Sequence, residues 1–275
     1  MTISVLMSVY KNEQAAYLDR AFKSIWDDQT LKPDQIVLIE DGPLGEDLRS
    51  IIESWQVKLG SVLCLLRNDV NIGLTKSLNK GIKFVTSELI ARMDSNDISA
   101  PKRFQLQHDF FTNNPGIHII GGSLQEFDDS NECLNIRHYP LNPKDARDYI
   151  KKASPLAHPT VMMRKQIFDE GLSYNEEYRT SQDIALWFDA LLAGYKISNV
   201  PEVIIYFRRN YDVFKRRGRE KAWNEFKIYM KGIYRIFGPI TLYYVFPISR
   251  LVFRLMPSSF IKFIYSSQAR KKLLK

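Results

Sequence analysis

Two rhythms alternate along the first third of the chain. Ile3 to Tyr10 is a short β-prone run, and Leu18, Ala21, Phe22 and Ile25 follow at helical spacing, so a strand passes into a helix. The pattern repeats. "QIVLI" predicts a buried strand, Leu48, Ile51, Ile52 and Trp55 a helical stripe, and "VLCLL" a third strand. Leu74 to Phe84, with Leu78 and Ile82, predicts a helix, and "ELIARM" a fourth strand. Strands alternating with helices at this spacing imply βαβ units: an α/β fold whose mainly parallel, Rossmann-like sheet is flanked by helices. Right-handed crossovers follow from strand twist.

This order fixes where a ligand would sit. Open parallel sheets bind ligands outside the carboxyl ends of their strands. The segments following the four strands carry Ser8, Tyr10 and Asn12; Glu40 and Asp41; Arg67 and Asn71; then Asp94, Asn96 and Asp97. Asp, Asn and Ser in "LIARMDSNDIS" equally suit a turn that merely ends a strand. Convergence of four such segments on one edge favours a polar-ligand site. "SVYKNEQ" has no glycine, which removes a dinucleotide fingerprint, and "NIGLTKS" lacks the P-loop order. A nucleotide held by side chains and a metal remains, since Mg²⁺ and Mn²⁺ prefer oxygen ligands and bridge to a diphosphate.

Composition narrows the picture further. A chain of 275 residues, 45% hydrophobic, suffices for one large domain or a domain with an appendage. Cys64 and Cys133 form no C-x-x-C pair, so neither a disulfide framework nor a thiolate zinc site is expected, in keeping with a reducing cytoplasm. "MTISVLMSVYKNE" is unlike a secretory signal. The net charge of +8 suits nucleic acid, anionic lipid or a phosphate-bearing substrate, but no nucleic-acid recognition module is present. Basic residues crowd the last third. There the run Ile236 to Ser249 holds two prolines and is shorter than the roughly 18 residues of a spanning helix. Arg250, Arg254, Lys262 and the final lysines, mixed with aromatics, predict short amphipathic helices lying in an anionic interface. Packing back on the main domain, or a dimer contact, is the competing expectation.

The pieces "SVYKNEQAAYLDRAFKSIWDDQT", "IVLIEDGP", "LRNDVNIGLTKSLNKGI", "ARMDSNDISAPKRFQLQ", "HPTVMMRK" and "SQDIALWFDALLAGYKISNVPEVIIYFR" stand in an order and spacing that are specific together. From about Ser4 to Arg208 the chain resembles the family-two inverting glycosyltransferases of the GT-A fold, especially bacterial enzymes of surface-polysaccharide synthesis (O-antigen or capsule).

The resemblance implies a GT-A domain over 1–208, with a nucleotide-sugar half (1–100) and an acceptor half (101–208), and a basic helical tail over 209–275. By resemblance Asp41 recognises the nucleobase, Arg67 holds the base or its neighbouring phosphate, and Asn71 and Gly73 lie in the loop beside the nucleotide. Ser8, Tyr10, Asn12 and Asp94 complete the donor site. "MDSND" corresponds to the D-x-D element, with Asp94, Asn96 and Asp97 around Mn²⁺ or Mg²⁺, although Asn96 stands where a second aspartate is usual. Asp183 corresponds to the catalytic base, with Gln182 in place of the usual glutamate; an acid in the first turn of a helix also stabilises the helix dipole without any catalytic role. His158 and Gln182 are candidates to face the acceptor.

The implied reaction moves a hexose from a nucleotide sugar, UDP-linked by expectation, to a saccharide on a polyprenyl diphosphate, forming a β-glycosidic bond. The enzyme would be peripheral on the inner face of the cytoplasmic membrane. The alternatives are a lipopolysaccharide-core transferase and an inactive sugar-nucleotide-binding assembly protein.

Overall fold

A computed structural model of the chain describes residues 1–128, 130, 132–209 and 219–255; the remaining residues, including Lys262 and the final lysines, lie outside it. The first half runs β1 (Ile3–Val9), α1 (Ala15–Ile25), β2 (Gln35–Glu40), α2 (Glu46–Leu59), β3 (Leu63–Arg67), α3 (Leu74–Ile82), β4 (Leu89–Asp94) and β5 (Ile98–Ser99). The second runs α4 (Arg103–Asn113), β6 (Ile119–Phe127), β7 (Cys133–Arg137), α5 (Pro143–Tyr149), β8 (Met162–Arg164), α6 (Gln166–Asp169), α7 (Gln182–Leu192) and β9 (Ile197–Arg208). Two helices close the described chain, α8 (Arg219–Phe237) and α9 (Val245–Leu255).

All nine strands join one sheet in the order β3-β2-β1-β4-β8-β6-β9-β5, with β7 beside β6. The first four pair in parallel, as the βαβ rhythm requires, and β6 pairs in parallel with β9. Antiparallel pairing is confined to contacts of β5, β7 and β8. The sheet therefore runs unbroken through both halves of the domain.

The apolar runs are continuous because both faces of the sheet are covered. Val5, Met7 and Val9 of β1 join one core with α1 and α2, while Leu6 points to the other. Leu18, Ala21, Phe22 and Ile25 are fully buried, and Phe22 stacks on Trp55 of α2 at 5.2 Å. The second core gathers α3, α7 and α8 around Trp187. There α8 approaches α7 so closely that a Cβ on Gly232 would lie 2.3 Å from the Phe188 ring, which is why glycine occupies that position. The described part of the tail is largely helical, and its first helix belongs to the core through Ile228, Tyr229 and Ile233.

Candidate active site

Carboxyl ends of β1, β2 and β4 and the loop after β3 meet around a cleft of about 510 Å³. Ser8, Tyr10, Asn12, Asp41, Asn71, Gly73, Asp94 and Asn96 line it. Sequence order separates these residues, and parallel strand pairing brings them together: Ser8 of β1 stands in register with Asp94 of β4. Glu13, Ser95, Arg179 and Arg208 also line the cleft and were not expected from the sequence. Ser95 Oγ donates to Glu13 Oε2 at 2.6 Å, joining the turn after β4 to the loop after β1.

Asp41 organises the wall beside the nucleotide loop. Its Oδ1 accepts from the Ile72 N–H at 2.8 Å and from Asn68 Nδ2 at 3.1 Å, and its Oδ2 from the Gly73 N–H at 3.0 Å. Its own carbonyl accepts from Asn71 Nδ2 at 3.1 Å. The next residue, Gly42, has φ +92°, and a Cβ there would sit 2.7 Å from the Asn71 backbone nitrogen. An "EDG" sequence is therefore needed to let strand β2 end against the 68–73 loop. Arg67 stands outside the residues that line the cleft: its side chain is 66% exposed and pairs with Glu40 at 3.3 Å.

The "MDSND" turn divides its acids between two environments. Asp94 is on the cleft, with Oδ1 2.5 Å from Arg92 Nη2. Burial, the largest single influence, pulls the Arg92 guanidinium down, but Asp94, Tyr174 and Asp97 together outweigh it and hold the group above the ordinary arginine value. Asp97 is revised from a metal ligand to an inner support. It is fully buried, and its Oδ1 accepts from the Arg208 N–H at 2.9 Å. Burial pushes its carboxyl well above the usual range, and the neighbouring Asp94 adds to the shift. Arg208 fastens the same turn through Nε to the Asn96 carbonyl at 3.1 Å, its guanidinium over the Tyr17 ring at 3.8 Å. Among the described residues no three His, Cys, Asp or Glu side chains cluster as a metal site. Asp94 and Asn96 are hard oxygen donors and fit Mn²⁺ or Mg²⁺ only as a partial set, which diphosphate oxygens would complete.

A half-buried carboxylate from the second half lies within electrostatic reach of Arg92. Asp183 is in the first turn of α7, as the apolar stripe of that helix requires, and Gln182 beside it is buried and off the cleft. Burial raises the Asp183 carboxyl, an effect opposed by the Ile184 N–H and by the charges of Arg92 and Lys221. Tyr174 feels both Asp183 and Asp94, so the two acids from distant segments share one neighbourhood. Arg92 Nε and Nη1 and Trp187 Nε1 are buried without a hydrogen-bond partner. His158 is revised from acceptor contact to packing residue. Its Nε2 lies 2.8 Å from Tyr174 Oη, its ring packs edge-on against Trp187, and burial keeps it neutral by lowering its pKa far below the usual value. Ser181, expected to cap α7, makes no side-chain cap bond; its φ of 60° makes it the only described non-glycine residue in the left-handed region. That backbone strain stands two residues from Asp183.

The fold is that of a GT-A glycosyltransferase. Residues 4–172 match Glycosyl transferase family 2, and the chain belongs to that family. It is 32% identical to the amylovoran biosynthesis glycosyltransferase AmsE of Erwinia amylovora, over 97% of this chain and 99% of that one. It is also 32% identical to the UDP-Gal:alpha-D-GlcNAc-diphosphoundecaprenol beta-1,3-galactosyltransferase of Escherichia coli, over 98% and 97% of the two chains. Among solved structures, the 1–349 fragment of S. aureus TarS with UDP-GlcNAc superposes with a TM-score of 0.63 at 16% identity, covering 93% of this chain and 82% of that one. The mannosyltransferase PcManGT of Pyrobaculum calidifontis, with GDP-Man and Mn²⁺, gives 0.65 at 13% identity, covering 99% and 78%. At such identities these structures speak for the fold alone.

Proposed function

We propose that this glycosyltransferase moves a hexose from a UDP-sugar to a saccharide on a polyprenyl diphosphate, with inversion, during surface-polysaccharide synthesis. The observation that carries the reading is that Arg92, paired with Asp94 of the donor-side cleft at 2.5 Å, also lies close enough to the half-buried Asp183 for its charge to act on that carboxyl. The full-length similarity to a UDP-galactose enzyme acting on a lipid-diphosphate acceptor supports the substrate class.

Asp183 takes the proton of the acceptor hydroxyl as its oxygen attacks the anomeric carbon and the bond to the diphosphate oxygen breaks. One displacement inverts the centre, so an α-linked donor gives a β-glycoside. A raised carboxyl pKa makes Asp183 a stronger base than a solvated aspartate. Asp41, with the loop it pins, reads the imide edge of uracil, and Arg179 offers a cation to the departing diphosphate. A divalent cation held by Asp94, Asn96 and the diphosphate would neutralise charge on the leaving group. Arg92 keeps Asp94 turned to the cleft.

Among the described residues no helix is long and apolar enough to cross a membrane. The proposed lipid-linked acceptor and the cationic tail support a place on the inner surface of the cytoplasmic membrane. The deciding experiment is a donor screen against synthetic lipid-diphosphate sugars, followed by linkage analysis. UDP-hexose transfer giving a β-linkage is expected. Transfer only from other nucleotide sugars, or none to any such acceptor, would overturn the reading.

A further inference from the structure

The sequence assigns Arg250 and Arg254 to membrane headgroups, but the structure uses them internally. Both reach Glu225 of α8, a residue only 6% exposed, at 2.8 and 2.7 Å. Arg250 also donates to the Lys152 carbonyl and covers the Tyr229 ring at 4.7 Å. This clamp turns α9 so that its charged side faces the protein. Pro247 on the same helix is buried.

The opposite side of α9 is apolar and open. Val245, Ile248, Val252 and Leu255 recur at helical spacing and are 57%, 47%, 52% and 47% exposed, with Phe253 beside them at 57%. Just before the helix, Ile240 and Leu242 stand 96% and 89% exposed. A stripe of large apolar side chains held outward by two ion pairs to a buried glutamate is unusual for a surface that meets only water. Directly after Leu255 the sequence continues with Lys262, Arg270, Lys271, Lys272 and Lys275 and no acid.

We propose that this outward stripe is a membrane-docking face that enters the headgroup–acyl boundary of an anionic bilayer. Apolar side chains supply the burial, and the cationic sequence that follows supplies attraction to anionic headgroups. The charge distribution argues against a second copy as the occupant: a two-fold contact through this face would bring two cationic continuations together. The inference rests on the reading of a lipid-linked acceptor for its purpose, but its physical basis is independent of any sugar.

Flotation of the full chain with phosphatidylethanolamine–phosphatidylglycerol vesicles tests it without substrate. The protein should float with them, and Ile248→Asp combined with Val252→Asp should weaken binding at least about tenfold. Phe253→Trp, which preserves the apolar face, should gain fluorescence quenched by brominated lipids above the wild-type background. Undiminished binding by the double variant, or an unquenched tryptophan, would overturn the inference, as would self-association that the double variant abolishes without any vesicle binding. Equal flotation with phosphatidylcholine alone would refute the anionic requirement. Vesicle binding without sugar transfer counts against the proposed reaction only; transfer to a soluble acceptor without vesicle binding counts against the docking face only.

Discussion

Asp183 carries the sharpest consequences at the level of single residues. Asp183→Asn should lower the transfer rate by about 10²–10⁴-fold, the span of a lost general base, while UDP binding measured by calorimetry stays near wild type. The pH dependence follows from the direction of its shift. Burial raises the carboxyl, so the base is lost by protonation at a higher pH than a solvated aspartate would be, and turnover should fall as pH drops through that raised value. The Arg92 charge opposes the rise, so Arg92→Met should move the acid limb of kcat/KM to higher pH, and Arg92→Lys should largely restore it. A purely structural arginine would change the amplitude of that profile and leave its midpoint in place. On the donor side, uridine nucleotides should compete for the cleft better than adenosine or cytidine nucleotides if Asp41 reads the base as proposed, because adenine and cytosine offer no ring N–H to a carboxylate on that edge. Equal inhibition by all of them would remove Asp41 from base recognition.

Among the elements, the turn after β4 and the loop after β3 behave as units. In the turn, Asn96 supplies a neutral oxygen where a carboxylate is usual. Transfer should therefore stop with EDTA and return with Mn²⁺ or Mg²⁺, and Asn96→Asp should lower the metal concentration that half-restores it. Asp97→Asn keeps an oxygen for the Arg208 N–H and should leave that metal requirement unchanged, which separates an inner support from a ligand. In the loop, Gly42→Ala meets both a positive φ and the Asn71 backbone. It should cost about 1–3 kcal/mol in denaturant melts and weaken donor binding in parallel, since the same backbone carries the Gly73 N–H to Asp41.

For the molecule as a whole, the tail divides into a helix that belongs to the core and one that faces outward. α8 buries Ile228, Tyr229 and Ile233, whereas α9 buries only Pro247 and reaches α8 through two arginines on Glu225. Deleting 238–275 should leave the thermal midpoint within a few degrees, because the buried face of α8 is retained. Transfer to a water-soluble acceptor should persist, while transfer to a lipid-linked acceptor in vesicles should drop. Loss of both activities together with the fold would assign α9 to the core instead. A deletion begun at Ile236 would cut the last turn of α8 and confuse the two effects.

The sequence by itself determined the alternation of strands and helices, their parallel order, and thus the edge on which Ser8, Asp41, Asn71 and Asp94 would meet. These follow from local periodicity and from the handedness of crossovers, which need no knowledge of distant contacts. Helix α7 and the place of Asp183 in its first turn were legible for the same reason, from an apolar stripe alone. Other features depend on what packs where, and only the tertiary structure decided them. Asp94 and Asp97 stand three apart in one polar turn, yet one faces the cleft and the other the interior, because β9 lays Arg208 across the turn. His158 reads as a candidate acceptor contact until Tyr174 and Trp187 enclose it. Arg92 carries no expectation within its apolar strand; only the fold pairs it with Asp94 and brings Asp183 of the other half within reach of its charge. The arginines of α9 read as a cationic surface until Glu225 claims them. Charge in a sequence has a sign and a position but no partner, and the partner decides whether it faces substrate, solvent or the core.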